Sequence, residues 1–132
     1  MLKDLLADQF QYTVSEQLLC GGNILDILSK HQECSVKINR SIVKAVTGCG
    51  CLKIDVKKKV LSENSSIADI KKMLESNVSG QLCDQCIEII ETEIGRSLVY
   101  LAALCNQLDL NLFDIMIKEH DKMRILKYYS FT

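Results

Sequence analysis

The chain has 132 residues, of which 16 are basic and 17 acidic, so its formal net charge at pH 7 is −1. This length fits one domain, and so balanced a charge gives no electrostatic basis for binding nucleic acid or an anionic membrane. Hydrophobic residues make up 48% of the chain, which is enough to build a core, and the absence of proline permits long helices.

The sequence also bears on where the protein is expected to reside. No run of apolar residues approaches the length needed to cross a bilayer, and Lys3, Asp4 and Asp8 interrupt the apolar N-terminal stretch that a signal peptide would need. We therefore predict a cytoplasmic protein with no membrane partner. In that compartment seven cysteines indicate thiols or metal ligands before disulfides, and their odd number argues against complete pairing.

The first half of the chain contains two predicted helices. Apolar residues at steps of three and four predict a helix from Leu2 to about Leu19, which Gly21-Gly22 ends. Asn23 is placed to cap a second helix that runs to about Thr47. The apolar face of this helix is formed by Ile24, Ile27, Leu28, His31, Ser35, Ile38, Ile42, Ala45 and Val46.

A mixed segment follows. The partial alternation of Leu52 to Val60 predicts a loop or a short strand. Ser66 is placed to cap a short helix, and Ser79-Gly80 is expected to end it.

The longest predicted helix runs from about Leu82 to Gln107. Its apolar residues recur with a mean spacing of 3.5, which suits side-by-side helix packing, and they are Ile87, Ile90, Ile94, Leu98, Leu101, Cys105 and Leu108. Leu98 to Cys105 is apolar on nearly every side, so several neighbours must cover it. This predicts a homo-oligomer, either a dimer or a tetramer.

A last helix is predicted from Asn111, as its N-cap, to about Lys127, with Asp114 at the third helical position and a loose tail at 128–132. The predicted fold is therefore all-α. It is a bundle of four to five helices in one domain, 1–132, with a cysteine-bearing loop or short hairpin.

Two cysteine pairs stand at the ends of predicted helices. Cys49 and Cys51 follow the second helix, and Cys83 and Cys86 begin the longest one. Together they supply four thiolates, the number that a closed tetrahedral zinc site needs, and the N-terminal dipole of the long helix favours thiolates. We predict a structural zinc site in which the loops 49–65 and 80–86 form a metal clasp. Its formal charge of −2 would be offset by Lys53 and by Lys57 to Lys59.

Other interpretations of the four cysteines remain. The same thiolates suit an iron–sulfur cluster. A thioredoxin-like redox pair is less favoured because no βαβ pattern surrounds Cys83 and Cys86, and four unligated thiols are the simplest alternative. The remaining cysteines, Cys20, Cys34 and Cys105, are expected in the core or at helix ends. His31 is expected to be a packed side chain rather than a ligand.

Residues 90–124 resemble the MazG-like, all-α nucleoside-triphosphate pyrophosphohydrolases. The resemblance lies in a Glu-Ile-Gly-Arg helix segment at 93–96, the apolar stretch after it, an Asp-Leu turn at 109–110 and a helix with basic residues at 118–124. It implies an oligomeric bundle of antiparallel helices and Mg²⁺ held by carboxylates from two helices. Such an enzyme cleaves a nucleoside triphosphate to the monophosphate and pyrophosphate.

This resemblance implies a set of candidate site residues. The acids that remain for catalysis and Mg²⁺ binding are Glu33, Glu88, Glu91 and Glu93, and the possible phosphate contacts are Arg96, Lys118 and Lys122. Arg40 is a further arginine able to meet a phosphate. Arg96 stands where the group has a carboxylate, and a cation there repels a metal ion.

Three functions therefore stay open from sequence. The favoured one is a catalytically degenerate, zinc-clasped oligomer that binds nucleotides or a protein partner. The second is an active Mg²⁺-dependent pyrophosphohydrolase, and the third is a cysteine-based metal or redox sensor.

Overall fold

The computed structural model describes residues 2–17, 22–56, 58, 63–64, 66–75 and 77–126. Most of them are helical, so the predicted all-α class is confirmed at that level. The helices are α1 (Leu2–Gln17), α2 (Ile24–Lys44), α3 (Ile67–Glu75), α4 (Asp84–Gln107) and α5 (Leu112–Leu126). A five-residue π-helical turn, Ala45–Cys49, continues α2, and the strands β1 (Leu52–Ile54) and β2 (Val78–Gly80) form a small antiparallel sheet.

The three predicted helix caps are confirmed. The Asn23 side-chain oxygen accepts a hydrogen bond from the backbone N–H of Leu25 at 2.8 Å, and Asn111 does the same for Asp114 at 2.9 Å. Ser66 accepts from the Asp69 N–H at 3.3 Å, while the Asp69 carboxylate accepts from the Ser66 hydroxyl and N–H. These two bonds lower the pKa of Asp69. Each cap satisfies a backbone donor that the first helical turn leaves without a partner.

The segment around Ser79-Gly80 differs from its prediction. Helix α3 ends at Glu75, and Val78–Gly80 is a strand rather than the end of a helix. Leu52 pairs with Gly80 and Ile54 with Val78, and the Asp55 N–H extends the pairing to the Asn77 carbonyl at 2.9 Å. The partner of β1 thus lies more than twenty residues away, and a local pattern at 52–60 does not reveal it.

Helix α2 also ends differently from the expected stop near Thr47. The chain widens into the π turn at 45–49, and Gly50 closes it with φ of 78° and an N–H bond to the Ala45 carbonyl at 3.0 Å. Glycine adopts this left-handed conformation without the cost that a Cβ imposes. The turn therefore extends the helical segment to Cys49.

The described residues belong to two compact units. The terminal unit comprises residues 1–35 and 94–132, and the central unit comprises residues 36–93. Helices α2 and α4 contribute residues to both. The single domain expected over 1–132 stays a prediction.

An apolar cluster forms the core of the terminal unit. Val14 of α1, Ile27 of α2 and Ala102 and Ala103 of α4 are all at most 4% exposed, and Val99, Leu104 and Leu112 pack against them. Hydrogen bonds of Gln11 also join helices of this unit. The Gln11 amide donates to the Asn106 side chain at 3.0 Å and to the Leu110 carbonyl at 2.7 Å, and its oxygen accepts from the Leu112 N–H at 2.8 Å. Helices α1, α4 and α5 are thereby joined by polar contacts as well as apolar ones.

The predicted apolar seam of α4 is covered only in part. Ile90 and Cys105 are buried, but Ile94, Leu98 and Leu108 are 43%, 47% and 55% exposed. In the terminal unit α4 also buries Ala102 and Ala103 of a neighbouring face, because small residues permit close approach of the other helices. Part of the seam therefore remains on the surface.

Among the described residues, no individual helix is both long and apolar enough to cross a membrane. Helices α4 and α5 meet that criterion only when combined across a bend of 106°.

Candidate metal centre

All four predicted zinc ligands lie in the central unit, where three elements position them. Cys49 is the last residue of the π turn, and Cys51 immediately precedes β1. Cys83 immediately precedes α4, and Cys86 lies in its first turn. The pairing of β1 with β2 brings the chain after Cys51 alongside the chain that leads to Cys83.

The four cysteine sulfur atoms, which we call the cysteine cluster, all lie within 4.8 Å of one another. The Sγ atoms of Cys49 and Cys83 are 3.7 Å apart. In a tetrahedral zinc–thiolate site, Zn–S bonds of about 2.3 Å place the sulfurs about 3.8 Å apart. The spacing of the cluster therefore fits four thiolates around one ion, and the structure confirms that the two distant pairs converge.

Cys83 is the N-cap of α4. Its Sγ accepts a hydrogen bond from the Cys86 backbone N–H at 3.4 Å, and its carbonyl accepts from the Ile87 N–H at 2.9 Å. The Cys86 N–H, followed by the thiols of Cys86 and Cys49, lowers the pKa of Cys83 to about 7. The interaction with Cys83 raises the pKa of Cys86 to about 12 and raises that of Cys49. Without a metal ion the cluster thus favours its negative charge on Cys83.

Two glycines shape the backbone beside the cluster. Gly50 separates Cys49 from Cys51 with φ of 78°, and no atom lies within 4 Å of the position where a Cβ would stand. Gly80 has φ of 90°, and a Cβ there would lie 2.5 Å from the Cys51 carbonyl oxygen. Glycine is therefore required at position 80 both for its conformation and for its close approach to the backbone of Cys51.

Two cavities of the central unit lie next to the cluster. The larger, about 350 Å³, is lined by Ser41, Lys44, Ala45, Gly48, Cys49, Gln85, Cys86 and Ile89. The second, about 260 Å³, is lined by Lys37, Arg40, Ser41, Lys44, Ile89 and Glu93. They share three residues, so they form neighbouring parts of one groove, which we call the α2–α4 groove.

The predicted catalytic acids do not form a comparable cluster. Glu33 lies in the terminal unit, where Lys30 pairs with it at 3.3 Å. Glu88 and Glu91 are exposed on α4, and Glu93 is half-buried and lines the second cavity. Among the described residues of the central unit, the four cysteines are the one group of three or more metal-ligating side chains close enough to share an ion. The Mg²⁺ site stays a prediction.

The predicted phosphate contacts lie in the terminal unit. Arg96 is exposed on α4 and Lys118 is exposed on α5. Lys122 pairs with Glu119 at 3.4 Å on the surface of α5. By contrast, Lys37 and Lys44 line a cavity, although neither was predicted as a site residue. The spacing of residues 37, 40 and 44 could have indicated this cationic site, since positions three and four apart share one face of a helix.

Cys34, Cys105 and His31 were expected to be packed side chains rather than metal ligands, and the structure agrees. Cys34 and Cys105 are 2% and 7% exposed, so both are packed core residues. His31 is half-buried on α2 and does not join the cysteine cluster. Lys53 and Lys58 are exposed near the cluster in sequence, whereas Cys20, Lys57 and Lys59 lie outside the described residues.

Comparisons of the chain with protein-family models, with curated proteins and with solved structures give no match.

Proposed function

We propose that this protein is a zinc-clasped helical binding module, similar to the MazG-like group, that has lost pyrophosphohydrolase chemistry. The observation that supports it is the convergence of four cysteine sulfurs from two distant pairs to within 4.8 Å of one another. Four thiolates close the coordination shell of zinc and leave no position for water or substrate, which is the arrangement of structural rather than catalytic zinc.

The sulfur spacing favours one ion over the alternatives. An iron–sulfur cluster places several iron and sulfide atoms between its cysteine ligands, so those ligands must lie farther apart than around a single ion. A redox pair needs only two thiols, yet here two pairs meet, and the described residues around them form no parallel βαβ unit. In a reducing cytoplasm the four thiols stay available to a metal ion.

The acidic residues support a loss of catalysis. Arg96 replaces one carboxylate that the resemblance leads us to expect, and Glu88 and Glu91 are exposed on α4. Mg²⁺ binds through several oxygen ligands that are held in place, and its role in such enzymes is to neutralise phosphate charge. A protein that keeps the helices without these ligands is suited to binding rather than to cleavage.

The exposed apolar side chains support the proposed homo-oligomer. Ile94, Leu98 and Leu108 of α4 and its following turn are 43% to 55% exposed, and Met116 and Ile117 of α5 are 47% and 44% exposed. Apolar residues in such numbers on one unit favour burial against another surface. Light scattering is expected to give the mass of a dimer or tetramer, and a monomer mass at micromolar concentration would contradict this part of the proposal.

Metal analysis tests the core of the proposal. Protein purified under reducing conditions is expected to contain about one zinc per chain. Iron in place of zinc, or no metal after careful preparation, would contradict the proposal. If removal of zinc changes the oligomeric mass while helicity stays intact, the sensor function is the better description, because a structural metal should unfold its surroundings when removed.

An assay with a panel of nucleoside triphosphates and Mg²⁺ or Mn²⁺ tests the loss of catalysis. No pyrophosphate release is expected from the purified protein. Pyrophosphate release that disappears in Glu93→Gln would establish an active enzyme instead.

A further inference from the structure

The α2–α4 groove has a cationic end whose role the metal centre does not explain. We propose that this groove binds a small organic phosphate directly through its own cations, with no divalent metal ion between protein and phosphate. This inference deepens the proposed binding function and rests on it, because Cys49 and Cys86 of the cysteine cluster line one end of the groove.

The charge of the second cavity fits an anion. Its lining includes three cations, Lys37, Arg40 and Lys44, and one carboxylate, Glu93, which leaves two positive charges in excess. The cations lie at steps of three and four on α2, so they share one face. Arg40 presents a planar fork of donors that matches two phosphate oxygens, and a lysine ammonium adds a charge that can follow a third.

The lining residues also argue against a metal-bridged phosphate at this place. A hard cation such as Mg²⁺ is held by carboxylates together with phosphate oxygens and water. Glu93 is the one carboxylate among the lining residues of either cavity. Three cations around it repel a divalent ion, whereas they attract phosphate. Direct contact is therefore the chemistry that this lining favours.

The larger cavity fits the organic part of the ligand. Ala45 and Ile89 give it apolar walls, and Gly48 leaves space where a side chain would stand. Ile89 is 47% exposed although it lies in a concave site, so its surface is available for an apolar or flat group. The Gln85 side-chain amide at the same wall can both donate and accept hydrogen bonds. At about 350 Å³ the larger cavity has the size of known small-molecule sites, about 300–1,000 Å³, and the second cavity adds about 260 Å³ beside it.

Electrostatics orients the ligand in the groove. Four thiolates and Zn²⁺ have a formal charge of −2, which repels a phosphate placed against Cys49 and Cys86. The phosphate is therefore expected beside Arg40 and Lys37, and the organic group is expected beside the cysteine cluster. Lys44 lines both cavities and lies between the two ends.

The test is isothermal titration of the zinc-loaded protein without added divalent cation. The probes are a nucleoside monophosphate, a sugar phosphate and inorganic phosphate, which separate a flat ring, a polar ring and the bare anion. At least one of the organic phosphates is expected to bind more tightly than inorganic phosphate. The double variant Arg40→Gln/Lys44→Gln is expected to bind that ligand at least about tenfold more weakly, since each charge-assisted hydrogen bond is worth about a tenfold change or more.

The matched control is Lys71→Gln/Lys72→Gln, which also removes two positive charges, but from the exposed surface of α3. It should bind like the wild type, and circular dichroism should show equal helicity in both variants. Failure of all three probes to bind at millimolar concentration would overturn the inference, as would an equal loss of affinity in both variants or a strict requirement for Mg²⁺. Elemental analysis of the same sample reports the proposed function separately: zinc without binding overturns only the groove, and absence of zinc overturns the module.

Discussion

The terminal and central units are stabilised by different interactions. In the terminal unit, buried apolar side chains from α1, α2 and α4 form one cluster, and hydrogen bonds of Gln11 join α1 to α4 and α5. In the central unit, the described side chains that are buried are Ser41, Ala45 and Ile90, while four cysteines converge near the surface. Burial of so little apolar surface contributes little to the folding free energy.

We infer from this difference a division of roles between apolar packing in one unit and the proposed metal site in the other. Small domains that cannot bury enough apolar surface commonly depend on a metal ion, whose binding free energy becomes folding free energy. We therefore expect the central unit to depend on zinc and the terminal unit to depend on its apolar core.

The largest expected effect comes from removing two of the four proposed zinc ligands. Cys83→Ser/Cys86→Ser should lose its zinc, because two thiolates cannot hold a structural ion in place of four. Hydrogen exchange measured by mass spectrometry should then show loss of amide protection across 45–54 and 78–90, with protection retained around Ala102 and Ala103. The same experiment on Cys34→Ala/Cys105→Ala, which removes two cysteines of the terminal unit, should leave the zinc content unchanged. Equal loss of protection in both units would contradict the division.

A substitution in the apolar core of the terminal unit should lower the stability of the protein without loss of zinc. Ile27 is 2% exposed, and Ile27→Ala should lower the free energy of unfolding by about 2–4 kcal/mol through lost burial and the cavity left behind. Urea unfolding followed by circular dichroism measures this change, and zinc content should stay at its wild-type level in native buffer. Leu25→Ala, on the same helix but at a position that is 67% exposed, should change stability little. Zinc loss in Ile27→Ala would show that the two units are not separable in this way.

The smallest expected effect is a difference in zinc retention between alanine substitutions at the two glycines beside the cysteine cluster. Gly50→Ala should cost about 1–2 kcal/mol, because its φ of 78° is unfavourable for a residue with a Cβ. Gly80→Ala carries a similar conformational cost and also forces its Cβ against the Cys51 carbonyl, so it should release zinc more readily to a competing chelator. Equal zinc retention in the two variants would contradict the role of Gly80 in placing Cys51.

The helix caps and the cysteine cluster could be predicted from the sequence because they depend on local chemistry. Asn23, Ser66 and Asn111 were identified as caps because a short polar side chain before an apolar period satisfies the first helical N–H groups. The four cysteines were identified because the number of candidate ligands and their spacing are visible in the sequence. Both predictions use only neighbours in sequence or the count of one residue type.

Features that depend on distant pairing were missed. Nothing near Ser79 indicates that β2 pairs with β1, because a three-residue strand has too short a pattern to distinguish it from a helix end. The buried face of α4 was predicted only in part. Ile90 and Cys105 of the predicted seam are buried, but Ile94 and Leu98 are 43% and 47% exposed, and Ala102 and Ala103 outside the seam are buried as well. The groove was missed because its walls come from α2 and α4 and lie more than forty positions apart.

The pairing of β1 with β2 has a consequence for the chain between them. Residues 55–77 leave and return at neighbouring points, since the Asp55 N–H bonds to the Asn77 carbonyl at 2.9 Å. Once the two ends are fixed, the length of an intervening segment hardly matters, because doubling it costs only about 0.6 kcal/mol of closure entropy. We therefore expect this stretch, outside α3, to accept an inserted peptide such as an epitope or a fluorescent tag without disturbance of the cysteine cluster.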